Sequence, residues 1–372
     1  MKRRVQVEID RGALERNYAR IVREVAPLKV LCVLKANAYG LGVEAYASTL
    51  KKAGCDEFGV AEPFEAIELK RIVGEGASVQ ILSSILPDEI EEMVELGVTL
   101  PVTDIETARL IDASAAKRRK KAKVQFKIDT GMGRLGILAK DALEVMSAVK
   151  KLKHLDIEGI FSHCPMAYDP EDDYTARQVK SFKALIAKAI KKGFSFKKIH
   201  MAASDAINNW PETRRPPFNM VRTGINLHGS FDPNGLKTLN VEPVLTLKTR
   251  VAQVRTLPAG TTLGYGRTWC LAEKAKIATI SAGYADGLPL ALTNRAQVFI
   301  GGKRCKIVGR ISMDYTTVDV TGIPDVKAGD EVICFGRSGS DSITPDDWAS
   351  LKGTHAYDII CSLGTRVERV VK

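Results

Sequence analysis

The chain has 372 residues, 45% of them hydrophobic and 27% charged, and a formal net charge of +11 at pH 7. Because this length exceeds the usual size of one domain, we expect a large domain and a smaller one, with a sizeable core. No apolar run approaches the roughly 18 residues that a membrane span requires, so we expect no membrane partner.

The N-terminus, MKRRVQVEID, is basic but lacks the apolar segment of a secretory signal. Export is therefore disfavoured, and a cytoplasmic location is expected. The segment RVQVEID is strand-like, and residues 1–9 are candidates to pair with a later β-rich domain. Asp10 follows this segment and is suited to cap the first helix.

Short apolar segments rich in β-branched residues recur through the first 230 residues. Eight are predicted as strands: KVLCVLK (29–35), FGVA (58–61), VQILSS (79–84), VTLPVT (98–103), KVQFKID (123–129), IEGIFSH (157–163), KKIHMAA (197–203) and MVRTGI (220–225). Helical patterns lie between them, such as PFEAIELKRIVGEG, PDEIEEMVELG and YTARQVKSFKALIAKAIKKG, the last ending at Gly193. This alternation predicts a (β/α)8 barrel.

The densest basic run, AAKRRKKAK (115–123), follows a helical pattern and has no interleaved aromatic residues. Cations suit the C-terminal end of a helix, so we expect a solvent-exposed helix end and no nucleic-acid partner. Seven cysteines without a CxxC pair favour buried, reduced thiols, and they predict neither a disulfide framework nor a metal site.

The pattern changes after the turn-rich loop DPNGLKTLN (232–240). From Val241 onward, strand-like segments such as AKIATISAGY, AQVFIGG and DEVICFG follow one another with little helix. The predicted fold class is therefore α/β: an N-terminal (β/α)8 barrel over residues 1–239, followed by a mostly β C-terminal domain over residues 240–372.

In such barrels the functional residues lie at the C-terminal ends of the strands. Polar residues at these positions are Lys35, Asp129, Arg134, His163, Ser204 and Arg222, the last with Gly224 on the eighth predicted strand. At the end of an apolar strand Lys35 is expected to be partly desolvated, which would favour a neutral, nucleophilic amine able to form a Schiff base. That predicts either aldolase-type chemistry or pyridoxal phosphate (PLP).

The loops after the last two predicted strands favour PLP. The segment AASDA offers the hydroxyl of Ser204, and RTGI offers backbone N–H groups that a phosphate can approach beside Gly224. A bound phosphate fits this pair of loops, and only the PLP alternative requires one.

Six segments resemble motifs of alanine racemase, a PLP enzyme with a barrel and a β-domain. They are VLKANAYGLG (33–42), KIDTGMGRLG (127–136), VRTGINLHG (221–229), LGYGRTW (263–269), AGYADG (282–287) and GRISMD (309–314). They occur in the order found in the family and span nearly the whole chain. Six motifs in register make the resemblance specific.

The resemblance implies that Lys35 carries PLP and is one of two acid/base groups at the substrate Cα. It implies that the second is Tyr265 of the other subunit, in a head-to-tail homodimer with shared active sites. It also implies a hydrogen bond from Tyr265 to His163, which is linked to Arg222. Arg222 would face the pyridine nitrogen, where its permanent charge limits side reactions such as transamination.

The other matched residues are implied to surround the cofactor and the substrate. Arg134 matches an arginine near the substrate carboxylate, and Lys127 matches a lysine often carbamylated and paired with it. Because a cationic Lys127 would not anchor Arg134, we expect Lys127 to be carbamylated. The remaining matches are Tyr39, Ser204, Gly224, Ile225 and Tyr357 at the cofactor, and Met313, Asp314 and Tyr284 at the substrate and its access channel.

Three positions depart from the family pattern. Ala203 stands where family members often have Asn, and His228 replaces a frequent Tyr. Leu290 replaces an Arg of the access channel, which should alter the electrostatics of that channel more than the chemistry. These departures bear on substrate breadth and efficiency.

The leading interpretation is an isomerase, a racemase that interconverts L- and D-alanine and supplies D-alanine for peptidoglycan. The alternative is a racemase of broader specificity that acts on serine or basic amino acids. A PLP-binding regulatory barrel would not need Tyr265, Met313 and Asp314. A decarboxylase on a related scaffold would require an acidic contact to the pyridine nitrogen, where Arg222 stands.

Overall fold

The structure is a computed structural model that describes residues 3–372. The chain divides into two compact units. We call Glu15–Leu227 with Asn234–Val241 the barrel unit. We call residues 3–14, His228–Pro233 and Glu242–Lys372 the β-unit. No helix within the described range has the length and apolar character needed to cross a bilayer.

The first part of the chain alternates strands and helices. Its strands are β1 (Gln6–Ile9), β2 (Lys29–Val33), β3 (Glu57–Val60), β4 (Ser78–Ile81), β5 (Leu100–Val102), β6 (Ala122–Asp129), β7 (Ile137–Leu138), β8 (Leu155–Phe161), β9 (Lys198–His200) and β10 (Met220–Thr223). Its helices are α1 (Arg11–Val25), α2 (Lys35–Gly40), α3 (Val43–Lys52), α4 (Pro63–Val73), α5 (Ile90–Leu96), α6 (Ile105–Lys117), α7 (Ala142–Val149), α8 (Tyr174–Lys191) and α9 (Ser204–Asn209).

The barrel unit is built on a parallel sheet with the strand order β4-β3-β2-β10-β9-β8-β6-β5. Its two ends meet where Gln80 of β4 forms a parallel bridge with Thr99, just before β5. Each of the eight predicted segments overlaps one of these strands, and the predicted barrel is confirmed. The strands are almost wholly buried, as parallel strands covered by helices must be.

Helix ends in the barrel unit follow local sequence signals. Asp104 caps α6, because its Oδ1 accepts a hydrogen bond of 2.7 Å from the N–H of Thr107. After α8, Gly193 takes a φ of +78°, a conformation that favours glycine. In the basic run after α6, Lys120 pairs with Glu95 of α5 at 2.7 Å, on an exposed surface.

The second part of the chain is rich in strands. These are β11 (Leu245–Leu257), β12 (Thr262–Leu263), β13 (Trp269–Cys270), β14 (Ala275–Ile280), β15 (Gln297–Ile300), β16 (Lys303–Lys306), β17 (Thr316–Asp319), β18 (Glu331–Ser338), β19 (Asp341–Ile343) and β20 (Glu368–Val371). The helices are α10 (Pro345–Lys352) and α11 (Ala356–Cys361). Short 3-10 turns occur at Pro211–Arg214, Ile225–His228, Tyr265–Arg267, Tyr284–Asp286 and Leu290–Leu292.

The β-unit has one main sheet with the strand order β16-β15-β18-β11-β1-β20. The N-terminal strand β1 lies between β11, to which it is antiparallel, and β20, to which it is parallel. Asp10 then caps α1, since its Oδ1 accepts a hydrogen bond of 2.8 Å from the N–H of Ala13. In the core, the ring of Trp348 packs edge-on against Phe335 with centroids 5.1 Å apart. A mostly β C-terminal domain is thus confirmed.

The chain contributes to both units around residues 228–241. His228–Pro233 belongs to the β-unit, and Asn234–Val241 belongs to the barrel unit. Asn208 of α9 holds the second segment, because its Oδ1 accepts hydrogen bonds of 3.1 Å from the N–H groups of Thr238 and Leu239. A buried amide therefore anchors the turn-rich loop to the barrel.

Candidate active site

Lys35 lies where β2 gives way to an unusual turn. The strand ends two residues before it, and residues 36–39, none of them glycine, have φ values between 52° and 59°. Left-handed backbone costs on the order of 1 kcal/mol per residue, so surrounding groups must hold it. Asn37 does this through its Oδ1, which accepts a hydrogen bond of 2.7 Å from the N–H of Val43.

The side chain of Lys35 is exposed. The strand stops before Lys35 and the left-handed turn begins there, so the residue is exposed in this chain, and its partial desolvation stays a prediction. Exposure leaves the amine accessible to a small carbonyl compound at the carboxyl end of the barrel strands.

Predicted cofactor-binding residues meet beside α9. The N–H of Gly224 donates a hydrogen bond of 3.1 Å to Oγ of Ser204. A Cβ at position 224 would lie 2.1 Å from the hydroxyl oxygen of Tyr39, so only glycine fits here without a shift. Ile225 follows and is fully buried. These residues form a small cradle of hydroxyl and backbone groups.

Arg222 of β10 is buried, and its guanidinium donates to neutral acceptors. Nη1 lies 2.7 Å from Nδ1 of His200, and Nη2 donates to the carbonyl oxygens of Ser162 and Met201 at 2.8 and 3.0 Å. Burial lowers the pKa of Arg222 to about 10, which leaves it protonated at neutral pH. The site therefore contains a buried cation whose hydrogen bonds do not neutralise it.

His163 follows β8 and contacts the same guanidinium. Nη2 of Arg222 lies 3.3 Å from Nδ1 of His163. Burial, and then the charge of Arg222, hold the pKa of His163 well below its usual range. A neutral imidazole that accepts at Nδ1 carries its proton on Nε2, from where it can donate to a further group. His163 and Arg222 are thus brought together as the resemblance implies.

Lys127 of β6 is buried in the barrel wall. Its Nζ donates a hydrogen bond of 2.6 Å to the carbonyl oxygen of Leu82 and lies 4.9 Å from the centroid of the Phe161 ring. Burial, and then the positive charges of Arg222 and Arg134, lower the pKa of Lys127 to about 7. A large fraction of this amine is therefore uncharged at neutral pH.

Arg134 is exposed at the end of a loop that folds around Asp129. The Oδ1 of Asp129 accepts hydrogen bonds of 2.8 Å from the N–H groups of Gly131 and Met132. This carboxylate shapes the loop that presents Arg134, and the arginine is left available to a ligand.

In the β-unit, Tyr265 is the most exposed of the large hydrophobic residues, with 74% of its surface accessible. It lies between Gly264 and Gly266, each with a φ of +71°. A Cβ at Gly264 would lie 2.6 Å from the N of Arg310, so the turn is packed closely against that backbone. Tyr265 and Arg310 line a pocket of about 400 Å³.

Tyr284 and Met313 are also held together within the β-unit, and both are exposed. The N–H of Tyr284 donates to the carbonyl oxygen of Ser312 at 3.0 Å. Asp314 pairs with Nη1 of Arg366 at 2.8 Å. Arg366 also forms two hydrogen bonds, of 2.7 and 2.9 Å, with the buried carboxylate of Asp286. Asp314 is therefore part of an ion-paired cluster.

The remaining predicted positions have simpler surroundings. Tyr357 of α11 is half-buried, and its ring lies edge-on to His355 with centroids 5.4 Å apart. His228 is buried, which lowers its pKa to about 3 and keeps it neutral. Leu290 is exposed on its 3-10 turn, and Ala203 immediately precedes α9.

Sequence reasoning missed several buried polar residues. His200 ends β9 and contacts Arg222. It was missed even though it lies near a strand end, as His163 does. Gln125 and Gln80 lie within otherwise apolar strands, and a polar residue in such a strand is the sequence signal that could have identified them. Arg366 and Asp286 are far apart in sequence, and no local pattern joins them. Residues 3–372 contain no cluster of His, Cys, Asp and Glu suited to a metal ion.

Comparison with known proteins gives consistent matches along the chain. The profile described as alanine racemase, N-terminal domain, matches residues 9–232, and that of the C-terminal domain matches residues 244–371. The chain is 36% identical to alanine racemase of Halothermothrix orenii, over 98% of this chain and 96% of that protein. It is 38% identical to alanine racemase of Chlorobaculum tepidum, over 98% and 94% respectively.

Solved structures give the same result. Alanine racemase from D-cycloserine-producing Streptomyces lavendulae superimposes with a TM-score of 0.92 at 31% identity, covering 100% of this chain and 98% of that one. Alanine racemase from Bartonella henselae with covalently bound pyridoxal phosphate superimposes with a TM-score of 0.88 at 30% identity, covering 100% of both chains. The chain belongs to the alanine racemase family of isomerases.

Proposed function

We propose that this protein interconverts L- and D-alanine, using PLP held at Lys35. The observation that carries the proposal is that Lys35, which is accessible, and Arg222, which is buried and contacts neutral His163, both lie at the carboxyl ends of barrel strands. A nucleophilic amine and a fixed cation in one barrel suit a carbonyl cofactor that also contains a basic ring nitrogen.

The residues present fit PLP. Tyr39, Ser204 and Gly224 bring two hydroxyl groups and a backbone N–H close together, which are groups that bind phosphate, and the absence of a Cβ at position 224 lets Tyr39 pack against that backbone. When bound, PLP withdraws electrons from the substrate Cα and so makes its proton acidic. Arg222 would contact the ring nitrogen and, as a cation of pKa about 10, would not give up a proton to it at neutral pH.

For racemisation, one proton must leave one face of Cα and another must arrive at the opposite face. We assign the first face to the amine of Lys35 and the second to the phenol of Tyr265 of the partner subunit. Tyr265 is 74% exposed, and four other large apolar or aromatic residues of the β-unit are exposed as well: Tyr284, Leu290, Met313 and Tyr315. Their exposure supports the proposal that a second copy of the chain covers this surface. The proposed enzyme is a homodimer.

We also propose that Lys127 is carbamylated. A pKa of about 7 leaves enough neutral amine to attack CO2, and a proton is released as the N–C bond forms. The resulting carbamate is an anion that could pair with Arg134. Protein equilibrated with ¹³C-bicarbonate should give a carbamate carbonyl signal in ¹³C NMR, and Lys127→Met should lack it. An unlabelled amine in wild-type protein would contradict this proposal.

The reaction is tested by a visible spectrum together with an exchange assay. We expect purified protein to be yellow, with an absorbance that Lys35→Ala abolishes, and to equilibrate L- and D-alanine. The values of kcat/KM for alanine, serine, lysine and arginine should be compared. A larger value for any of the last three would replace our proposal with the alternative, a racemase of broader specificity, for which the uncharged, exposed Leu290 offers a structural basis.

In cells, we propose a cytoplasmic role in supplying D-alanine for peptidoglycan. The chain should restore growth of a bacterial strain that requires added D-alanine, whereas Lys35→Ala should not. Failure of the wild-type chain to restore growth, despite racemase activity in vitro, would contradict the cellular role and leave the reaction standing.

A further inference from the structure

Three buried polar side chains extend from Arg222 across the barrel interior. Nδ1 of His200 lies 2.7 Å from Nη1 of Arg222, Nε2 of His200 lies 3.0 Å from Oε1 of Gln125, and Nε2 of Gln125 lies 3.0 Å from Oε1 of Gln80. His200, Gln125 and Gln80 each have 0% of their surface exposed. We call these four residues the buried row. They come from β10, β9, β6 and β4.

The chemistry of the buried row allows one direction of hydrogen bonding. A guanidinium has donors only, so Nδ1 of His200 must accept from Arg222. A neutral His200 then carries its proton on Nε2 and needs an acceptor there. Oε1 of Gln125 is that acceptor, and the amide nitrogen of Gln125 is consequently turned toward Oε1 of Gln80. Each step determines the next.

His200 is neutral in this arrangement. Burial, and then the charge of Arg222, hold its pKa well below the usual range. The ring of His200 also stacks on Phe161, with centroids 5.1 Å apart and planes inclined by 5°. An imidazolium here would turn an N–H group toward the N–H groups of Arg222 and break their contact.

The backbone makes room for the amide of Gln125. Gly159 of β8 lies opposite Gln125 in the sheet register. A Cβ at Gly159 would lie 2.9 Å from Oε1 of Gln125 and 2.3 Å from the carbonyl oxygen of Lys198. The row ends at Gln80, whose Nε2 has no hydrogen-bond partner within residues 3–372.

We propose that Gln125 is a positioning residue that keeps the proton of His200 on Nε2 and thereby holds Arg222 in the orientation that the site requires. The consequence for turnover rests on the proposed racemase function, whereas the position of the proton does not. Gln125 acts through His200 and contacts neither substrate nor cofactor.

The test uses holoenzyme labelled with ¹⁵N-histidine, in which the five histidines of the chain can be assigned by substitution. We expect wild-type His200 to show a protonated Nε2 and an unprotonated Nδ1 that do not titrate near neutral pH. Gln125→Met removes the acceptor at similar volume. We expect it to change both nitrogen signals and to lower kcat about ten- to a hundredfold, with a smaller change in KM.

Two further variants separate positioning from packing. Gln80→Met removes an amide one step further along the row but leaves the acceptor of His200, so the His200 signals should persist. Gln125→Glu restores an acceptor and adds a negative charge, which should raise the pKa of His200 into a measurable range. That titration would confirm that the side chain at position 125 faces Nε2 of His200 in solution.

The proposal is overturned if wild-type His200 carries its proton on Nδ1, or if Gln125→Met leaves its signals unchanged. It is also overturned if Gln80→Met and Gln125→Met have equal effects on signals and kcat, since that is the result of packing loss alone. A wild-type protein that does not racemise alanine would instead contradict the proposed function, because the NMR result needs no turnover.

Discussion

The Nζ of Lys127 donates a 2.6 Å hydrogen bond to the carbonyl oxygen of Leu82, in a part of the barrel where burial, and then the charges of Arg222 and Arg134, oppose its protonation. The folded chain therefore favours the neutral amine. The free energy of unfolding should therefore depend on pH through Lys127, and replacing this lysine should remove that dependence.

The pKa of Lys127 is about 7 in the folded chain against an ordinary value of 10.5, so the unfolded chain binds more protons between these pH values. Stability should rise with pH across this window, by at most about 1.4 kcal/mol per pH unit, and the penalty should be complete below pH 7. Lys127→Met removes this contribution. We expect it to raise the free energy of unfolding relative to wild type at pH 6.5 and to lose that advantage by pH 10.

The measurement is urea unfolding at fixed protein concentration in buffer free of CO2, since a carbamate would replace the amine. Lys123→Met is the matched control, because Lys123 is exposed on the same strand. Its difference from wild type should not depend on pH. An equal pH dependence in both variants would contradict the shifted pKa.

Tyr265→Phe should separate the two faces of the proposed reaction. Without the phenolic proton, exchange at Cα with solvent deuterium should slow about a hundredfold or more from one enantiomer of alanine, and far less from the other. Tyr315→Phe is a suitable control, because Tyr315 lines the same pocket and is also exposed. Equal slowing from both enantiomers would rule out the two-base assignment.

Gly224→Ala should weaken PLP binding. Its Cβ would lie 2.1 Å from the hydroxyl oxygen of Tyr39, so the ring must move out of the cradle. We expect the Kd for PLP, measured by titration of apo-protein, to rise about tenfold or more, as overpacking by about 1.4 kcal/mol implies. Gly322→Ala, with nothing within 4 Å of its Cβ, should leave the Kd unchanged.

Tyr39→Phe offers a second check on the same contact. In the double variant the added methyl group meets two ring carbons, at 3.0 and 3.5 Å, and no longer the hydroxyl oxygen at 2.1 Å. The two substitutions should therefore be less than additive in their effects on Kd. Strict additivity would mean that Gly224 and Tyr39 do not share the cradle.

Arg366→Met should destabilise the β-unit. It removes two hydrogen bonds from the carboxylate of Asp286, which has 3% of its surface exposed, and leaves a buried charge with fewer partners. We expect a loss of about 2–3 kcal/mol in the free energy of unfolding, measured with urea. Arg304→Met breaks an exposed pair with Asp341, which water screens, and should therefore cost much less. Similar losses in both variants would refute a special role for Asp286.

The barrel strands were predictable from the sequence because a parallel strand covered on both faces is a short, nearly continuous apolar run. The left-handed turn at residues 36–39 was not predictable. Its residues include alanine and tyrosine, which do not favour positive φ, and the hydrogen bond from Val43 to Asn37 that stabilises it forms only in the folded chain. The exposure of Lys35 in this chain follows from that turn and was not predictable for the same reason.

Contacts between residues on different strands were also not predictable from the sequence. Arg222 and His163 were paired through the family resemblance, whereas His200 and Gln125 have no motif that joins them, and they meet only when the barrel closes. Arg366 and Asp286 are separated by 80 positions, and only the folded β-unit brings them together. Local patterns indicate which residues are buried, but they do not indicate which buried polar groups are partners.

The placement of β1 between β11 and β20 has a consequence for synthesis of the chain. Strand β1 is synthesised long before β20, so one of its edges stays unpaired until β20 is made, whereas the residues of Glu15–Leu227 are all made before β20. We expect barrel amides such as that of Leu31 to gain protection from hydrogen exchange earlier in refolding than that of Val7. Until β20 emerges, each newly made copy would expose an unpaired edge of β1, and slow synthesis of the intervening residues would favour aggregation.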